Sequence, residues 1–518
     1  MATELDERYD FVVCGAGSSG SVIAGRLAEN PDIRVLLLEA GGSDDAPSVT
    51  EAPQWPLNLE SERDWGFASE PDPRLLGRSI LFSMGKVLGG GSSINSMIWA
   101  RGHRNDWDHF ASESGEPAWG YDQVLDLYRD IEDWQGIGER HHRGRGGPVF
   151  VQPAPDAHPA AAATVEAART IGIPTYQSPN GRLMEDICGA AVTDLRWHAG
   201  KRLSVFRTYV APHLGKPNLT VLTDALVTRV TLHGNRATGV EVVHGGTVHR
   251  VSADAEVVLS LGAIHTPKVL MQSGIGDEDE LRRVGVPLRQ HLPGVGRNFH
   301  DHYGFDCVWE FPENLRSSTQ PGAALFWDSG AAGIEGPDLF AYFGPFPKST
   351  PENVAKYGLP DNSWILFGSS THPKSRGRLR LSGPDPADPV RIEANALSHP
   401  DDLKSAIACI ETLREIGNSA ELRPFIAREV MPGGGLSGAE LETYLRNAVT
   451  TYWHESGTAK MGRDAMSVVD GHLKVYGIDR LRDADASIMP RVTCANTMAP
   501  CVVIGERAAQ FIKAEHRF

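Results

Sequence analysis

The amino-acid sequence predicts an α/β protein built on a parallel, Rossmann-like sheet, with a second domain beside it. Three observations lead there. Residues 11–40 run strand, glycine-rich turn, helix, strand. A second glycine run lies at 85–91. The chain, at 518 residues, is too long for one hydrophobic core, so it holds two domains or one large domain with a second interleaved.

The first strand is Phe11-Val12-Val13-Cys14, a short apolar run that ends at a glycine. The turn Gly15-Ala16-Gly17-Ser18-Ser19-Gly20 fits GxGxxG, and Val22, Ile23 and Leu27 after it have helical spacing. Arg34-Val35-Leu36-Leu37-Leu38 makes the second strand and ends at Glu39. In such a unit Gly15 permits the tight turn, Gly17 lets a pyrophosphate approach the backbone, and Gly20 lets helix and strand pack closely. The helix start offers unpaired N–H groups and the positive end of a dipole to the phosphates. Glu39 follows Gly20 by 19 positions, where a carboxylate accepts hydrogen bonds from a ribose diol. A lone GxGxxG says little; two flanking strands and a well-placed acid make it a dinucleotide site.

Composition narrows the function. Hydrophobic residues at 41% and 55 glycines fit a loop-rich globular enzyme. With 50 basic and 66 acidic residues the formal charge is −16, which argues against nucleic acid as a partner. No apolar run approaches the ~20 residues of a membrane span, and residues 1–10 carry no secretory leader, so a cytoplasmic protein is expected. The six cysteines form no CxxC pair, which points to reduced thiols rather than a redox disulfide, and no metal site is assigned.

Residues 50–82 contain prolines, Trp55, Trp65 and Phe67 without a period, and read as extended cover over the first unit. In 85–99, three consecutive glycines beside Ser92 and Ser93 give a backbone that can lie against a planar or anionic ligand, or a merely flexible loop. Beyond it, 106–134 reads as one aromatic helical stretch, 141–147 as a loop, 160–171 as an alanine-rich helix, and 193–212 as a segment ending in a helix at Tyr209. Residues 219–230 read as one strand, 235–239 as a hairpin turn, 240–243 as its partner and 257–260 as a buried strand. The 305–450 region has proline-rich loops at 345–360, strands at 364–369 and 378–381, and a strong helix at 401–416. A last helix runs from Pro500 to His516, with Pro500 in its first turn.

The run Gly85-Lys86-Val87-Leu88-Gly89-Gly90-Gly91-Ser92-Ser93-Ile94-Asn95, continuing to residue 102, resembles the first signature of the glucose–methanol–choline (GMC) oxidoreductases, flavoproteins that oxidise alcohols. Gly262-Ala263-Ile264-His265-Thr266-Pro267, continuing to 276, resembles the second. Leu292-Pro293-Gly294-Val295-Gly296-Arg297-Asn298, Asp301-His302, Pro373-Lys374-Ser375-Arg376-Gly377, His454-Glu455-Ser456-Gly457-Thr458 and Asp485-Ala486-Ser487-Ile488-Met489-Pro490 are also similar to family stretches. They follow the family's order from about residue 9 to 515.

The resemblance implies an α/β fold with a Rossmann-like FAD-binding domain in three pieces, 1–155, 216–304 and 453–518, and an interleaved α+β substrate-binding domain from 156–215 and 305–452. It implies that FAD meets Gly15, Gly17, Ser18, Ser19, Gly20, Glu39 and Ala40, then Trp65, Lys86, Val87, Gly90 and Gly91. Asn95, Ser96, Met97, Ile98, Val227 (backbone to adenine), Ser260 and Gly262 come next, followed by Asp485, Ala486, Asn496, Thr497 and Met498. Some members bind FAD covalently through a histidine just before the asparagine of the first signature. Ile94 stands there, so non-covalent FAD is expected, with His103 the histidine nearest in sequence.

Alcohol oxidation needs a base at the hydroxyl while a hydride moves from carbon to flavin N5. By resemblance the base is His454, and Asn496 takes the second active-site position, filled in the family by His or Asn. An amide is no base at neutral pH, so Asn496 would donate or accept a hydrogen bond at the substrate oxygen, leaving His454 as the only proton acceptor; a helix or turn cap is the alternative role for an asparagine there. Trp453 would wall the substrate cavity, and residues 496–499 would bring backbone donors and a positive helix end to the flavin N1–C2=O edge.

The expected substrate is a small-molecule alcohol, a CH–OH donor oxidised to the aldehyde or ketone, with a primary alcohol the favoured case, and O2 or another electron acceptor; no feature fixes the acceptor or the oligomeric state. A competing reading is an FAD-containing lyase without net redox chemistry, which also occurs in the family; a non-catalytic flavin binder is a third. An NAD-dependent dehydrogenase would share residues 11–40 but have no use for 85–102. Choline-type alcohols need a carboxylate or an aromatic cage, and none can be placed from sequence; aromatic or furanic alcohols suit Trp453 equally.

Overall fold

A computed structural model describes residues 8–330 and 336–518. Of the segment 1–10 that was expected to lack a leader, residues 1–7 lie outside the described residues.

Two seven-stranded sheets organise the molecule. In the first, Arg8–Cys14 pairs in parallel with Val35–Leu38, Phe11 opposite Val35, and on its other side with Thr247–Leu259, Cys14 opposite Leu259. Leu219–Leu222 and Leu481–Asp483 add in parallel at Val35–Leu38 and Thr247–Leu259. Val12, Val13 and Leu36 to Leu38 are wholly buried, as a parallel strand covered on both faces requires. Helix Ser18–Leu27 packs on the C-terminal helix Met498–His516. At their crossing a Cβ on Gly505 would lie 2.7 Å from the Ser19 carbonyl oxygen, so only glycine lets the two helices approach this closely.

The second sheet is antiparallel throughout its main path: Arg428–Met431, Tyr303–Glu310, Ser363–Ser370, Leu339–Gly344, Ala323–Trp327 and Gly189–Val192. Helix Pro400–Gly417 backs one face so tightly that a Cβ on Gly368 would meet Cys409 Sγ at 2.4 Å. Side chains alternate along a strand. Phe367, next to Gly368, therefore points to the opposite face, beside its cross-strand partner Tyr342.

Several expectations are corrected. The stretch 106–134 is two helices, Arg104–Ser114 and Tyr121–Ile131, then a strand Glu132–Trp134; Gly115 at φ +72° and Pro117 end the first helix. Residues 219–230 hold two strands, because Asp224 at φ +53° turns the chain after Leu222 into an antiparallel hairpin, Ala225–His233 with Arg236–His244. The hairpin reverses at Gly234 and Asn235, not over 235–239. The strand expected at 257–260 is the end of the longer Thr247–Leu259, and the proline-rich 345–360 contains a helix, Pro351–Tyr357. The cover at 50–82 is partly 3₁₀-helical, at Ala52–Asn58 and Pro73–Leu75. No helix among the described residues is long and apolar enough to cross a membrane.

Candidate active site

A long cavity runs from the carboxyl ends of the first sheet's parallel strands to the Phe367–Tyr342 face of the second. Its first half is a glycine-lined cradle. The backbone at Gly17 is extended (φ −69°), and neither there nor at Gly91 would a Cβ meet any atom within 4 Å; both face the open cavity. The two glycine loops touch, since a Cβ on Gly90 would lie 2.7 Å from Gly17 Cα. Gly20 serves packing, with a would-be Cβ 1.9 Å from the Gly15 carbonyl oxygen. No side chain caps the helix that begins at Ser18, so its first N–H groups remain available to the cavity.

Glu39 lies at the cavity wall, where it accepts hydrogen bonds from the Ala16 N–H (3.0 Å) and the Gly41 N–H (2.9 Å). Burial lifts its carboxyl to about 7. An uncapped helix start, open glycine backbones and a carboxylate with spare lone pairs fit a dinucleotide pyrophosphate and ribose.

Most of the expected cofactor residues line this one cavity. They are Gly15, Gly17, Ser18, Ser19, Glu39 and Ala40; Trp65, Gly90, Gly91, Asn95, Ser96 and Ile98; and Val227, Ser260, Gly262, Asp485, Ala486, Asn496, Thr497 and Met498. Gly20, Lys86, Val87 and Met97 stand behind the wall. Lys86 Nζ lies 5.0 Å over the Trp65 ring, Val87 bridges to Gly42, and Met97 packs with Ala52 and Trp55. Ile94 lines the cavity, whereas His103 caps the helix Arg104–Ser114 with its ring.

At the junction of the two halves stand His454 and Asn496, their Nε2 and Nδ2 atoms 3.1 Å apart. The other ring nitrogen of His454, Nδ1, is 2.8 Å from His302 Nδ1, and His302 Nε2 is 2.8 Å from the Thr371 carbonyl oxygen. The backbone N–H of His454 donates to Asp301 Oδ1 at 2.9 Å, and the Thr451 hydroxyl donates to the other oxygen of Asp301. That clamp holds Trp453 at φ +62°, a left-handed conformation costly for a bulky residue and typical of functional sites. Burial drives the pKa of His454 well below the ordinary histidine value, helped by its neighbour His302, whose own value burial lowers to about 3. Both rings are neutral at neutral pH.

The second half of the cavity is aromatic and escaped sequence reasoning. Trp55, Tyr342, Phe343, Phe346, Phe367 and Tyr452 line it with Trp453, and so does Lys348. Tyr342, Phe343 and Phe367 lie on strands, whose alternation says which residues share a face but not which cavity that face walls; Trp55 lies in a 3₁₀ helix and Phe346 in a loop. His265, inside the second signature, also lines the cavity, its ring 4.1 Å from that of Trp65.

Comparison with known proteins agrees with this architecture. The family model of the GMC oxidoreductases matches in two parts, residues 9–304 and 373–505. The chain is 34% identical to an oxygen-dependent choline dehydrogenase of Brucella anthropi over 97% of its own length and 95% of the relative's. It is 34% identical to the mitochondrial choline dehydrogenase of Mus musculus, over 99% and 91% respectively. The crystal structure of pyridoxine 4-oxidase from Mesorbium loti superimposes with a TM-score of 0.90 at 31% identity, covering 98% of this chain and 99% of that one. The chain therefore belongs to the GMC oxidoreductase family, the FAD-dependent oxidoreductases of alcohols.

Proposed function

We propose that the protein oxidises a primary alcohol to the aldehyde, with His454 as the general base and Asn496 as hydrogen-bonding partner of the substrate oxygen. The observation that carries this reading is the tautomer of His454. A carbonyl oxygen cannot donate, so the proton between Thr371 and His302 sits on His302 Nε2. His302, being neutral, then has a bare Nδ1, and the proton between the two rings belongs to His454 Nδ1. Nε2 of His454 is left with its lone pair at the cavity, the form a base needs.

When bound, FAD supplies the acceptor for the hydride that leaves the carbinol carbon. The hydroxyl proton passes to His454 Nε2, and the resulting imidazolium still donates through Nδ1 to His302. The Asn496 amide, which donates to Nε2 at rest, moves its N–H to the alcohol oxygen as the hydroxyl takes over Nε2. Its own Oδ1 has no hydrogen-bond partner among the described residues, so no bond to that oxygen holds the amide against turning. The aromatic walls exclude water from the reacting atoms.

Anaerobic mixing with a panel of alcohols tests the reading: the oxidised flavin absorbance should bleach. A lyase would turn its substrate over with the spectrum unchanged. In His454→Ala the rate of bleaching should fall by ~10²–10⁴, the range for loss of a general base.

A further inference from the structure

We infer that Lys348 and Tyr342 form an anchor for an anionic or acceptor group on an aromatic alcohol, seated in the aromatic half of the cavity beyond His454. This rests on the reading of the cavity as an alcohol-oxidising site and names the substrate class.

Two polar atoms in this half are shut off from solvent without a hydrogen-bond partner among the described residues: Lys348 Nζ and Tyr342 Oη. A buried donor left unpaired is costly, and in a ligand-binding cavity it marks the place where a ligand completes the bond. Lys348 Nζ hangs 3.3 Å over the Phe367 ring and 4.7 Å over Trp453. Phe367 stands opposite Tyr342 in the sheet and stacks on Tyr452 at 4.0 Å, and Tyr452 stacks on His454 at 5.6 Å. The lysine therefore lies two aromatic layers from the base, with Phe367 and Tyr452 between them, and both groups line the one cavity.

The same geometry bears on cationic alcohols. Aromatic faces are what a quaternary ammonium would seek, and here the chain's own ammonium occupies those of Phe367 and Trp453. A second cation would meet like charge in a low-dielectric space whenever that lysine is protonated. Nor is the lysine already neutralised by direct contact. Asp301 is engaged by Thr451 and the His454 N–H, and Asp306, opposite Phe367 in the sheet, makes no ion pair with Lys348. Burial pulls the lysine pKa down to about 7 against the opposing pull of the nearby carboxylates Asp306 and Asp301, and an anion in the cavity would hold the lysine in its charged form.

The test uses three probes that share a benzyl alcohol frame and differ in the para group, on the FAD-loaded protein: 4-(hydroxymethyl)benzoate, benzyl alcohol and the 4-trimethylammonio analogue. Wild type should reduce its flavin with kcat/KM highest for the carboxylate and lowest for the cation. In Lys348→Met the carboxylate-to-benzyl-alcohol ratio should fall by about tenfold to a hundredfold, the worth of a charge-assisted hydrogen bond, and Lys348→Arg should restore most of it. Tyr342→Phe should lower the same ratio by less. Calorimetric binding of benzoate against phenyltrimethylammonium to wild type provides a readout free of turnover and of any folding defect in a variant; benzoate should bind more tightly. An unchanged ratio in a flavin-loaded Lys348→Met, or preference for the cation in either assay, overturns the anchor. Failure of every alcohol to bleach the flavin would instead sink the alcohol-oxidation reading, leaving the binding comparison to judge the anchor.

Discussion

His302 Nδ1 and His454 Nδ1 lie 2.8 Å apart, and with both rings neutral only one of the two nitrogens carries a proton. The Thr371 carbonyl on the far side of His302 decides which. On the proposed reading His302 is thus a positioning residue that keeps the proton off the Nε2 nitrogen of His454. His302→Leu leaves the His454 Nδ1–H without an acceptor. A buried group left unpaired costs about 1–3 kcal/mol, so flavin reduction should slow by roughly ten- to a hundredfold. His302→Gln can donate its amide N–H to Thr371 and accept from His454 through its oxygen, and should retain most of the rate. Equal rates in the two variants would show that the tautomer is set elsewhere.

The low pKa of His454 has a sign that can be checked. A base works in its neutral form, and burial together with His302 lowers the pH at which His454 gains its proton. The acid limb of kcat/KM for flavin reduction by a neutral alcohol should therefore lie below the ordinary histidine value of about 6.5. Stopped-flow reduction between about pH 4 and 9 gives the profile; an acid limb at or above that ordinary value would contradict the assignment.

The two glycines of the first turn should respond in opposite ways to one methyl group. Gly17 has a backbone any residue can adopt and open space at its Cβ, so its own fold does not require glycine. Gly17→Ala should melt like wild type but bind FAD about ten- to a hundredfold more weakly, the cost of about 1–3 kcal/mol for overfilling a fitted site. Gly20→Ala drives its methyl into the Gly15 carbonyl oxygen and should lower the melting temperature of the protein. Thermal melts of both variants with and without added FAD separate the two effects.

What the sequence made legible was whatever a short contiguous stretch determines. Residues 11–40 were readable because strand, turn, helix and acid follow one another, and the strands Val35–Leu38 and Arg378–Leu381 fell where their patterns placed them. The helix at 401–416 was recovered as Pro400–Gly417 for the same reason. Illegibility began where the outcome depended on distant chain. Asp224 turns a readable β run into two strands of different partners, one parallel at the sheet edge and one in a hairpin. His302 was noticed only as part of a family-like pair, because its role depends on a carbonyl at Thr371, in another part of the chain. Lys348 carries no sequence signal at all. It is one charged residue in a proline-rich loop, and only the register of Tyr342 against Phe367 draws its ammonium over an aromatic face.

FAD should be held without a covalent bond, because the cavity offers no competent attacking group where the family's linkage would form. Ile94, at that position, lines the cavity with an alkyl side chain that has no lone pair to attack the flavin 8α-methyl. His103 is committed elsewhere: its Nδ1 accepts the Asn105 N–H at 3.2 Å, its Nε2 lies 3.2 Å from the Asp186 carbonyl oxygen, and it is not part of the cavity wall. Other nucleophile types also reach the wall, among them Cys501 and His265. Burial pushes the Cys501 thiol up to about 12, so almost none is thiolate at neutral pH, and the thiolate is the reactive form. His265 is packed tilted against Trp65 and edge-on against Phe67, with ring centroids at 4.1 and 5.1 Å, so packing already fixes its orientation. Retention then rests on the glycine loops, the helix starts at Ser18 and Met498, and Glu39. Acid precipitation of the yellow protein should give a colourless pellet and a yellow supernatant. A yellow pellet would refute the claim, and the mass of FAD on a tryptic peptide containing residue 265 or 501 would name the residue that made the bond.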